Sequence, residues 1–139
     1  MKKRKRNRLE NFDYSRDALY YITSCTQGRI HYFGEVNNEE MKTNKFGQIA
    51  KKQWYWLGER FLFVILHAFV VMPDHIHGII EINRNNIVRP GRDLAKQPKI
   101  KPLSQLIGAY KTTVSKQIHL IGGKDFAWQR SFHDHIIRN

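Results

Sequence analysis

The sequence predicts an α+β domain, a mostly antiparallel sheet with helices packed on it. Short runs rich in β-branched and aromatic residues, some close enough to form hairpins, are interleaved with two segments whose apolar residues recur at helical spacing. The resulting order, strand, strand, helix, strand, strand, helix, strand, calls for helices layered on a sheet and leaves the strand order open. At 139 residues the chain fits one domain with a single core, and 41% hydrophobic with 26% charged residues is the balance of a soluble globular protein.

Residues 1–11 open the chain as a basic arm carrying Lys2, Lys3, Arg4, Lys5, Arg6 and Arg8. Such arms contact phosphate, and a solvated tail is the equal alternative. The domain then runs over residues 12–139. A turn-rich entry leads to Ala18–Thr26, whose Tyr, Ile and Thr content reads as a strand broken by Gln27-Gly28. Arg29–Val36 resumes β character, which makes 18–36 a hairpin candidate, and 37–44 reads as a polar loop. Phe46, Ile49, Trp54 and Leu57 then predict a helix over Lys45–Arg60 with its tryptophans in the core.

The apolar run Phe61–Met72 reads as a strand from about residue 65. Residues 83–101, with Pro90-Gly91 and Pro98, read as a surface loop. Pro102 suits the first turn of a helix reaching Ile121, and Gly122-Gly123 ends it. Phe126–Gln129 and Phe132–Ile137 supply the last β-like stretches.

Charge is the strongest compositional fact. Lys and Arg total 24 against 12 Asp and Glu, a formal charge of +12, so a polyanionic partner is expected, nucleic acid first and an anionic membrane a distant second. No apolar stretch is long enough for a spanning helix, and the basic N-terminus is not followed by the apolar stretch of a secretory signal, so the expected location is the cytoplasm. The single cysteine, Cys25, reads as a small core residue of a reducing compartment.

The chemistry concentrates in Phe69–Ile82. Strand alternation places Ile76, Gly78, Ile80 and Ile82 on one face and His75, His77, Ile79 and Glu81 on the other, so the two imidazoles stand side by side as a potential chelate. Coming directly after Pro73-Asp74, they sit near a sheet end where a ligand can enter. Asp74 and Glu81 could orient the imidazoles, or serve as plain turn and surface residues. In the second helix, Leu103, Leu106, Ile107, Tyr110, Val114, Ile118 and Ile121 share one stripe. On spacing alone, Tyr110 is an aromatic core residue. His31, His67 and His119 read as structural or surface residues.

Several segments together resemble the single-tyrosine HUH transposases, in particular the REP-associated group. These are Asp13-Tyr-Ser15, Tyr21-Ile-Thr23, Phe33-Gly34, Val71-Met-Pro-Asp-His-Ile-His77, Ile107-Gly-Ala-Tyr-Lys111, Trp128-Gln-Arg130 and His135-Ile-Ile-Arg-Asn139. The resemblance implies a ferredoxin-like fold and action on single-stranded DNA near short hairpins. It further implies Mg2+ or Mn2+ on His75 and His77, attack by Tyr110 on the scissile phosphate, a 5′-phosphotyrosine intermediate, and a homodimer. Lys111 and Arg130 would join Lys3, Arg4, Lys5 and Arg6 as phosphate contacts.

Two departures stand out. Relatives carry Gln or Asn one turn after the tyrosine as a further metal ligand, where this chain has Val114. They also continue beyond the segment at Asn139, so the chain is expected to be short at its C-terminus. A decayed or domesticated hairpin-binding protein is therefore the alternative to a strand transferase. A zinc protein built on His75, His77, His133 and His135 is a third reading.

Overall fold

The computed structural model describes residues 17–87, 100–130 and 132–137. The basic arm, with Lys3, Arg4, Lys5 and Arg6, and most of the 83–101 loop lie outside them. Four strands, β1 (Ala18–Cys25), β4 (Val64–Met72), β5 (His75–Ile82) and β6 (His133–Ile137), form one sheet in the order β4-β5-β1-β6. Every pairing in it is antiparallel. With helices α1 (Lys45–Arg60) and α2 (Leu103–Leu120), the sheet strands read βαββαβ in chain order, the ferredoxin-like arrangement.

The expected hairpin over 18–36 does not form. β1 is taken on both sides, by β5 and β6, and the following chain instead builds a separate ribbon from β2 (Gly34–Asn37) and β3 (Glu40–Thr43). Part of the segment read as polar loop is thus a strand. Its two-residue turn, Asn38 and Glu39, holds positive φ at both positions, the backbone of a tight hairpin whose twist suits its strands. Polar composition hid it because the ribbon's side chains are mostly exposed.

Asn44 caps α1, its side-chain oxygen accepting from the Gly47 N–H at 3.0 Å. Both helices bury their apolar stripes on one side of the sheet. Trp54 and Leu57 of α1, Leu106, Tyr110, Val114 and Ile118 of α2, and Tyr20, Ile22, Ile76 and Ile80 of the sheet have no exposed surface at all. At Gly78 the layers come close, since a Cβ there would lie 3.1 Å from the Trp54 ring. Ile121, assigned to the helix's apolar stripe, lies beyond its end and is 51% exposed.

Candidate metal and nucleic-acid site

The strict alternation of burial along β5 settles which way the histidines point. Ile76, Gly78, Ile80 and Ile82 face the helices, so His75 and His77 face the opposite, open side of the sheet. Their ring centroids are 5.5 Å apart. The pair opens β5 just after a two-residue turn, Pro73-Asp74, that joins it to β4 with Met72 opposite His75.

That turn is clamped from the side by the loop after β1. The Asp74 carbonyl accepts from the Thr26 N–H at 2.9 Å and from its hydroxyl at 3.2 Å, and the Pro73 carbonyl accepts from the Phe33 N–H at 3.0 Å. Arg29 Nε donates to Asp74 Oδ2 at 2.8 Å. Burial opposes ionisation of Asp74, but Arg29 and His75 outweigh it and hold its carboxyl down at about 2.

Each imidazole has its Nδ1 engaged. His75 Nδ1–H donates to Asp74 Oδ1 at 2.8 Å. His77 Nδ1 lies 2.5 Å from the Tyr21 hydroxyl, reached diagonally across β1 and β5. In the tautomer whose Nδ1–H donates to the phenol oxygen, Nε2 of His77 keeps its lone pair. Burial first, and then the neighbouring His75, lower the pKa of His77, which favours the neutral ring a cation requires.

The donor set fits a divalent ion held by two Nε2 atoms. Among the described residues no group of three or more His, Cys, Asp or Glu converges, and the two imidazoles are the donors the described residues offer here. An ion that keeps several waters and takes a substrate phosphate suits such a site.

Asp74 therefore meets an imidazole of the pair, whereas Glu81 meets neither His75 nor His77. Glu81 Oε1 pairs with His67 Nε2 at 2.8 Å, at the other end of the strand. His133 and His135 occupy positions on β6 in register with Thr23 and Tyr21 of β1. His119 Nε2–H donates to the Phe126 carbonyl at 2.9 Å, and His31 Nδ1 lies 3.4 Å from Glu35.

Tyr110 is not where a nucleophile for this pair would have to be. It is fully buried on the helix side of the sheet, donates its hydroxyl to the Ala50 carbonyl at 2.8 Å, and packs edge-on against Trp54. Burial raises its pKa well above that of a free phenol. The sheet itself separates it from His75 and His77. Val114, one turn on, is equally buried.

Lys111 Nζ donates to the Gln129 carbonyl at 2.6 Å and sits over the Trp128 ring at 5.9 Å. Arg130 is exposed. Sequence reasoning missed Tyr21 as a partner of the pair. The signal was its place in an alternating strand, but the register that brings it to His77 is a tertiary fact.

The chain matches none of the protein-family profiles. It is 32% identical, over 95% of its own length and 77% of the other's, to an uncharacterised protein of Haemophilus influenzae. Its fold is similar to that of a REP-associated tyrosine transposase solved bound to a REP hairpin, with TM-score 0.56 and 17% identity over the whole chain. The chain spans 64% of that transposase's length. A candidate transposase from Deinococcus radiodurans is similar at TM-score 0.53 and 15% identity, over the whole chain and 88% of that protein. No helix among the described residues is long and apolar enough to cross a membrane. The chain belongs to one family with the Haemophilus influenzae protein, and its α+β fold is that of the tyrosine transposases.

Proposed function

We propose that this chain is a DNA-handling domain of the HUH tyrosine-transposase type, which holds a divalent cation on His75 and His77 and takes hairpin-bearing single-stranded DNA. The observation that carries this is the pair of imidazoles on the open face, each with Nδ1 engaged by a partner, which leaves Nε2 as the nitrogen to meet a cation. The formal charge of +12 and the fold shared with a transposase bound to a REP hairpin support the substrate class.

When bound, the cation would polarise a scissile phosphate and neutralise developing charge on it. The chain's own residues do the rest. Asp74 and Tyr21 orient the imidazoles, and the clamp on the Pro73-Asp74 turn fixes their position. Two imidazole donors suit Mn2+ better than Mg2+, whose preference is for oxygen ligands.

Cleavage through a 5′-phosphotyrosine needs a phenol on the open face. Tyr110 cannot supply it in cis, and a homodimer would not change that, since Tyr110 is buried in whichever copy carries it. The Tyr21 oxygen is engaged with His77. Neither of these two phenols is therefore available to attack on the open face. The second reading, a hairpin-binding protein that does not cut, is favoured by this same placement of Tyr110.

Incubation with a labelled single-stranded hairpin DNA and Mn2+ separates them. A strand transferase gives a covalent protein–DNA adduct that is lost in His75→Ala and maps to a tyrosine other than Tyr110. Stoichiometric binding without adduct supports the binding protein, and absence of DNA binding overturns both.

A further inference from the structure

On the helix side of the molecule, α2 and the segment 126–130 enclose an open groove of about 750 Å³. One wall is a helical stripe carrying Lys111, Ser115, Lys116 and His119, and the other carries Trp128 and Arg130. Among the described residues that line it there is no carboxylate, while Phe126 and Trp128 supply an aromatic floor. The Lys111 amine ties the walls together through the Gln129 carbonyl, so the groove has a built shape.

We propose that this groove is a second contact for the DNA, a track for an unpaired strand. It rests on the reading of the chain as a single-stranded DNA protein and adds where that strand runs. Cations on both rims with an aromatic floor are the chemistry of an unpaired strand, whose phosphates seek the charge and whose bases offer flat apolar faces. Lys116 and Arg130, both exposed, are the phosphate contacts, and Lys111 acts by holding the wall.

The backbone connects the groove to the metal pair. Gln129 N–H donates to the Cys25 carbonyl at 2.8 Å, and Cys25 lies opposite His75. Three backbones therefore run side by side from the groove wall to the first imidazole, a span of about 10 Å at the usual strand spacing. A strand leaving the groove at Arg130 has the end of the sheet to cross before it meets His75.

Fluorescence anisotropy of labelled oligo(dT) with the whole chain tests this, comparing Lys116→Glu/Arg130→Glu with Lys51→Glu/Lys52→Glu, the same charge change on the exposed side of α1. The groove pair should weaken binding by roughly ten-fold or more and reduce the salt dependence by about one to two ions, with the α1 pair closer to wild type. Equal loss from both pairs, or none from the groove pair, overturns the groove while leaving DNA binding intact. Failure of the unaltered protein to bind overturns the underlying reading as well. Tighter binding of duplex or of oligo(U) than of oligo(dT) overturns the assigned occupant. Circular dichroism and melting of each variant exclude unfolding as the cause.

Discussion

The Tyr21 hydroxyl meets His77 Nδ1 at 2.5 Å across two neighbouring strands, and the rings are set edge-on at 72°. The contact gives the second imidazole of the pair what Asp74 gives the first, a fixed partner on Nδ1. Outer partners of this kind set the ring orientation and the tautomer.

Tyr21→Phe keeps the ring and removes the oxygen. Mn2+ affinity, read by the loss of the free-ion EPR signal, should fall by about ten-fold. The nitrogen-15 shifts of His77 should move toward a mixture of tautomers. An unchanged affinity together with an unchanged tautomer would show that Tyr21 only packs beside the ring.

Removal of the imidazoles themselves should separate function from folding. His75→Ala with His77→Ala is expected to abolish saturable Mn2+ binding while shifting stability by about 1 kcal/mol or less, because the rings stand on the open face and not in the core. Calorimetric titration and a denaturant melt of the same sample check the two halves.

Tyr110→Phe should behave in the opposite way. It removes a buried hydrogen bond to the Ala50 carbonyl, a loss of about 1 kcal/mol, and leaves any DNA adduct intact. The pH dependence has a definite sign. Burial raises the phenol's pKa in the folded protein, so its protonated form is favoured there, and the associated stability is complete below the unfolded value near ~10 and declines as pH rises beyond it. Phenolate absorbance should show one tyrosine that ionises together with alkaline unfolding, and Tyr110→Phe should lose that component.

Gly78→Ala tests the close approach of sheet and helix. The added Cβ would stand 3.0 Å from the Ala68 carbonyl and 3.1 Å from the Trp54 ring, so a destabilisation of about 1–3 kcal/mol is expected by thermal melting. A neutral result would mean that the Trp54 layer shifts freely.

The sequence told a good deal about this molecule, unevenly. Both helices fall within a residue of the periodic stretches that predict them, because burial on a single stripe dictates both spacing and helix. The facing of His75 and His77 was equally legible from alternation alone. Pairing was not: β1 shows nothing in its residues to say that it lies between β5 and β6 and not beside the next segment. Tyr110 exposes the same gap. Its stripe correctly said core, whereas the family motif suggested chemistry, and the packing of Trp54, Phe69 and Trp128 around it sides with the stripe.

The Pro73-Asp74 connection is therefore a ruler as well as a bend. Strand side chains alternate with period two, so lengthening it by one residue, with β5 slipping by one position against β4, would swing both imidazoles inward and thrust Ile76 into water. Counting residues at this corner is as informative as spelling them when homologous chains are sorted by the face on which they carry the imidazoles.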